Sequence, residues 1–114
     1  TARLQNFISK NQWSSGILAV YSPHTTAGIT VNENADPDVK QDMTVFLKHL
    51  VPKKFPFAHA EENSDAHIKG SLINFSQIFL VENGKIQLGT WQGIYFMEFD
   101  GPRNREVWVK FIEQ

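Results

Sequence analysis

The sequence contains no cysteine. Disulfide frameworks, thiolate metal sites and thiol nucleophiles are therefore excluded, and any chemistry falls to histidines, carboxylates, amides and hydroxyls. No apolar run approaches the roughly 20 residues of a bilayer-spanning helix, so no membrane partner is expected. Neither sign of charge is in excess: 11 Lys and Arg stand against 12 Asp and Glu, a net charge of -1. The broad basic field that nonspecific nucleic-acid binding relies on is missing, and no nucleic-acid partner is expected. The chain opens at Thr1 without a basic-then-apolar leader, which makes the cytoplasm the expected compartment. Repeats, low-complexity tracts and Gly/Ser-rich linkers are also absent.

What is present is enough for one core. The 114 residues are 41% hydrophobic and 12% aromatic, and a chain of that size buries roughly two-thirds of its extended surface. One domain over residues 1–114 is the expectation.

Two short apolar, β-branched stretches, residues 17–21 and 28–31, flank a Ser-Pro break and read as two strands or one sharply bent strand. The period then changes. Val39, Met43, Phe46, Leu47 and Leu50 recur at helical spacing, which predicts an amphipathic helix over about 37–50. Asp36 is its N-cap, Pro37 suits the first position, Asp38 favours the positive dipole end, and Pro52 stops continuation. His49 falls in that helix's last turn and is explained there. A shorter helix, about 64–73, is predicted with Asn63 or Ser64 as cap. Residues 78–81, 85–88, 90–99 and 106–112 read as a β-meander, with Asn83-Gly84 as a hairpin turn. Strands, then helices, then strands predict an α+β fold with a mostly antiparallel, β-sandwich-like body.

Three histidines lie among small and polar residues. His24 opens His24-Thr25-Thr26-Ala27-Gly28 at a strand end, and His59 and His67 bracket a polar segment. Their eight-residue gap is too long for two ligands on successive helical turns, but a turn between them can bring them together. Neutral imidazole is a common metal ligand, and three of them with an open position suit a Lewis-acid metal. The alternative is that each histidine caps a turn or bonds a carboxylate. In the acidic stretch at residues 32–38, Asp36 is already used as a cap, whereas Glu33 and Asn32 suit a general base and an orienting amide, or a solvated loop. Arg103, Arg105 and Lys69 are candidate anion binders, since a guanidinium fork matches phosphate or carboxylate. Gln92 and Glu98 share a strand face but stand about 20 Å apart along it, too far for one small site in one chain.

His24-Thr25-Thr26-Ala27, Asn32-Glu33-Asn34 with Asp36-Pro37, His59 with Ala66-His67-Ile68-Lys69 and Ser71, and Gly89-Thr90-Trp91-Gln92-Gly93-Ile94 together resemble the successive signatures of the YjbQ-like family, also named secondary thiamine-phosphate synthases. Two departures stand out: the family's first strand is missing or shortened at Thr1, and the segment between His59 and His67 is compact. The resemblance implies a homotrimer with its polar motifs at subunit junctions. It also implies a transferase joining an aminopyrimidine diphosphate to a thiazole phosphate, and a divalent metal on His24, His59 and His67. By ligand type that metal is zinc rather than magnesium. On this reading Glu33, Asp36, Gln92 and Arg103 are catalytic, and Thr25, Thr26, Asn32, Asn34, Asn63, Lys69 and Glu98 contact a small phosphorylated metabolite. A metal-dependent hydrolase of such a metabolite, or a non-enzymatic trimer that binds it, are the competing expectations.

Overall fold

The alternation of the strands decides how the layers stack. In strand β1 (Gly16–Tyr21), Leu18 and Val20 are buried while Ile17 and Tyr21 are exposed. In β3 (Ser76–Glu82), Phe79 and Val81 are buried while Ile78 and Leu80 are exposed. The computed structural model describes residues 1–114, and these strands join β4 (Lys85–Ile86) and β6 (Trp108–Glu113) in an antiparallel sheet of order β4-β3-β1-β6. A second, two-stranded sheet pairs β2 (Ala27–Glu33) with β5 (Gln92–Glu98), antiparallel from Ala27↔Glu98 to Glu33↔Gln92. Ile29 from β2 closes on Leu18, Val20, Phe79 and Val81, with Val31 and Ile94 packed against them, so the core lies between the sheets. The α+β fold with antiparallel sheets is as expected, and no helix is long and apolar enough to cross a membrane.

Helix α1 (Ala2–Lys10) is an element that the sequence pattern does not announce. Its reason is packing: Ile8 is fully buried in the core and Leu4, one turn earlier, packs against it, while Trp13 stacks on Phe111 at 4.9 Å between ring centroids. Helix α2 (Pro37–Leu50) has the expected bounds, and the Asp36 carboxylate accepts from the Asp38 amide at 2.9 Å. Yet none of its residues is buried: Met43 and Leu47 are half-buried and Phe46 and Leu50 are exposed. Helix α3 (Ser64–Ile73) follows its cap residue Asn63 and packs on β2.

The expected meander is corrected. The Asn83-Gly84 hairpin forms, with both residues at positive φ, as a two-residue turn matched to strand twist requires. Beyond it, β5 crosses to pair with β2 and β6 returns to pair with β1. Strand alternation specifies which face is buried, not which neighbour is chosen. The break near Pro23 likewise separates two strands that lie in different sheets.

Candidate functional site

The β1–β2 connection is a tight loop because Ser22, itself buried, donates its hydroxyl to the Ala27 carbonyl at 2.8 Å and so ties the two strand ends together. That loop presents His24, Thr25 and Thr26. Residues 59–67 bring His59, Asn63 and His67 to the same place through the start of α3, and the turn after β5 brings Asp100, Arg103 and Arg105. Together these three segments line an open cleft of about 380 Å³ that contains no hydrophobic residue. The three histidines of the sequence reading therefore converge.

Their ring nitrogens are not equivalent. His24 Nε2 accepts the Glu106 backbone N–H at 2.8 Å, which puts the histidine's own proton on Nδ1 and leaves no lone pair there for a cation. His59 and His67 meet edge to face with ring centroids 5.4 Å apart, and neither ring forms a hydrogen bond within the chain. His59 and His67 therefore keep free ring nitrogens and His24 does not; no three His, Asp or Glu side chains form a metal group.

The cationic wall is built on two ion pairs. Arg105 reaches both Glu98 oxygens and also donates to Thr26 Oγ1 at 2.7 Å. The hydrogen bonding between Arg105 and Glu98 holds the Glu98 carboxyl below the usual carboxylate range, against the opposing effect of burial, and raises the Arg105 guanidinium in return. Asp100 accepts from Asn63 Nδ2 at 2.7 Å and from Arg103 at 2.9 Å. Its carboxyl is lowered first by Asn63 and then by Arg103, with burial opposing. Because Asp100 only accepts, the Asn63 amide is fixed with its nitrogen toward it. Asn63 Oδ1 is left buried without a partner. Arg103 is half exposed, so part of its guanidinium faces the cleft solvent.

The other predicted residues lie elsewhere. The β2–β5 ribbon has Glu98 at the histidine end and Glu33 and Gln92 at the opposite end, about 20 Å away along a seven-residue strand. Gln92 accepts from the Gly89 amide, Asn34 accepts from the Tyr95 hydroxyl, Asp36 caps α2, and Asn32 donates to Met43 Sδ. Lys69 is on α3 but turned away from the histidines, buried against Asp65 at 3.1 Å. Within one chain, Glu33, Asp36 and Gln92 do not share the histidine cleft. The sequence reading missed Asp100 and the positioning hydroxyl of Ser22. Asp100 had a signal, an acid three residues before Arg103 in a turn; Ser22 had none beyond its Ser-Pro context.

The sequence model of the family described as UPF0047 protein YjbQ-like matches residues 1–114. A UPF0047 protein of Methanocaldococcus jannaschii is 60% identical over 105 residues, covering 92% of this chain and 76% of its own length. UPF0047 protein YugU of Bacillus subtilis is 49% identical over 113 residues, covering 98% and 86%. The crystal structure of an uncharacterised conserved protein of the YjbQ/UPF0047 family from Clostridium acetobutylicum superposes with a TM-score of 0.94 at 54% identity, over 98% of this chain and 87% of that one.

Proposed function

The chain belongs to the YjbQ-like UPF0047 family, and from that premise we propose that its histidine cleft binds a phosphorylated metabolite and that the protein is a transferase of the thiamine-phosphate synthase type. The observation that carries the proposal is the convergence of His24, His59 and His67 with Arg103 in a cleft that contains no hydrophobic residue. Arg103 supplies charge to a phosphate or diphosphate oxygen, and the unpartnered nitrogens of His59 and His67 accept or donate a proton there. The fixed, unpartnered Asn63 Oδ1 suits an N–H donor, as on an aminopyrimidine; an unmet buried acceptor costs about 1–3 kcal/mol, which such a donor would recover. A divalent cation on His59 and His67, zinc by ligand type, would add Lewis-acid polarisation of a phosphate oxygen.

The same reading includes a homotrimer working in the cytoplasm. Two features support the trimer: the apolar outer face of the four-stranded sheet is uncovered, and Glu33, Asp36 and Gln92 reach a histidine cleft only if a neighbouring copy supplies them. The test is the coupling of an aminopyrimidine diphosphate to a thiazole phosphate by purified protein, beside a panel of phosphate esters, with elemental analysis for metal. Expected are coupling, bound metal, and a fall of at least 100-fold in His59→Ala and in His67→Ala. Ester hydrolysis far faster than coupling would replace the transferase with a hydrolase. Binding without turnover, unchanged in Glu33→Gln, would leave a ligand-binding trimer. Metal-free protein with undiminished activity in His59→Ala removes the cleft from the chemistry.

A further inference from the structure

Helix α2 does not lie flat on the two-stranded sheet. Between them is a second cavity of about 300 Å³, the lower end of the size range for small-molecule pockets. The helix contributes Lys40, Met43, Thr44, Leu47 and Lys48, which at steps of three, one, three and one form a single stripe. The stripe is apolar at its centre and cationic at both ends. Opposite it stands the β2–β5 sheet, which with the residue after it brings Tyr95, Phe96 and Phe99 to the cavity. The Tyr95 ring is held from behind, its hydroxyl donating toward the Glu33 carbonyl and Asn34 Oδ1, both at 2.9 Å, and Lys40 lies 5.5 Å from its centroid. The Asn32–Met43 hydrogen bond at 3.0 Å joins helix and sheet on one side.

The cavity is also lined by Lys69, whose side chain is 8% exposed and whose ammonium has one partner in the chain, Asp65 at 3.1 Å. An ammonium carries three donors, so two of them have no protein acceptor. Lys40 and Lys48 form no ion pair, and of the two acids lining the cavity Glu98 is already committed to Arg105. With Lys69 balanced by Asp65 as well, Lys40 and Lys48 stand against Glu33 alone, which leaves a single positive charge in surplus around the slot. A solvated helix surface would place its lysines away from the sheet, not around Met43 and Leu47.

We infer that the α2–sheet cavity is a second small-molecule site, separate from the histidine cleft, that takes a flat ring carrying one anionic group: the ring between Met43, Leu47 and Tyr95, the anion on Lys69 and the lysine at one end of the α2 stripe. Helix α3 stands between the two sites, giving His67 to one and Lys69 to the other. The inference does not rest on the reading of the histidine cleft, and either can fail alone.

The experiment is protein-observed NMR on the full chain, with phenyl phosphate, benzoate, benzyl alcohol and inorganic phosphate titrated separately. Expected are shifts at Met43, Leu47, Lys69 and Tyr95 with phenyl phosphate or benzoate, and at least tenfold weaker binding of benzyl alcohol there. Inorganic phosphate is expected to report on Arg103, His59 and His67, which tests the other cleft. Lys40→Gln with Lys48→Gln is expected to weaken the ring anion at least fivefold and to leave benzyl alcohol unchanged. Lys69→Met is made together with Asp65→Asn so that no lone buried charge remains, and is expected to do the same. The inference is overturned if ring anions shift only the histidine cleft or only the outer face around Ile78 and Leu80, or if the lysine variants bind them as tightly as the parent.

Discussion

Among single side chains, Arg105 does most to shape the histidine cleft, because one guanidinium spans Glu98 on β5 and Thr26 on the β1–β2 loop. It thereby joins two of the three segments that carry the site. With Glu98 and Asp100 both held below the usual carboxylate range, the unfolded chain binds more protons than the folded one in acid. Their stabilisation is therefore complete above about pH 5 and is lost as pH falls through the lowered folded values. Glu98→Gln is expected to cost about 1 kcal/mol at pH 7, a modest figure because the pair is partly solvated. Urea denaturation from pH 7 to pH 3 should show that deficit shrinking towards zero; a deficit constant with pH would mean that the ion pair is not its source. The histidines were legible in the sequence because each sits in a polar island that no helix or strand pattern explains. Their partners were not. His24 is held by a backbone N–H 82 residues away and Asn63 by an acid 37 residues away, and contacts at that separation leave no local signature.

Elements were legible in proportion to their end signals. Helix α2 has a cap, a first-position proline and a terminating proline, and its bounds match; replacing its cap, Asp36→Ala, should cost about 1 kcal/mol in thermal or urea unfolding, and no loss would mean that Pro37 alone sets the start. Helix α1 has no side-chain cap hydrogen bond and owes its place to Leu4 and Ile8 meeting the core, a tertiary cause that nine residues of sequence do not announce. Strand partners were hidden for the reason that alternation gives a face and not a neighbour. The contact between α3 and β2 has its own test. A Cβ on Gly28 would stand 2.7 Å from the Asn74 carbonyl oxygen and 3.0 Å from Ile73 Cγ2. Gly28→Ala must push the end of α3 off the sheet, and a loss of about 1–3 kcal/mol is expected. His67 rides on that helix, so its NMR signals should move as well; unperturbed His67 signals would show that the helix absorbs the strain at its C-terminal end.

At the scale of the whole molecule, two surfaces are apolar where a solitary chain would be polar. The outer face of the four-stranded sheet exposes Ile17, Tyr21, Ile78, Leu80, Trp108 and Ile112, contributed by three adjacent strands, and α2 exposes Val45, Phe46 and Leu50. Alternating strands normally place polar residues on a face open to water, so an apolar row on both faces marks a sheet covered on both. One such face can serve as a closed interface, because a cyclic assembly presents the same patches to each neighbour in turn. The proposed trimer makes this quantitative. Ile78 and Leu80 are 70% and 61% exposed in the chain, so replacing them leaves the core between the sheets untouched. Ile78→Glu with Leu80→Glu is expected to leave a folded chain of 13.0 kDa in sedimentation equilibrium, whereas the parent should sediment at three times that mass. If Glu33 and Gln92 complete a neighbour's cleft, the same variant should lose turnover but keep inorganic phosphate binding at Arg103, since that half of the site lies within one chain. A parent that sediments as a monomer, or a variant that remains trimeric, would remove the outer sheet face from the assembly and leave the 20 Å between the two polar clusters without a partner to bridge it.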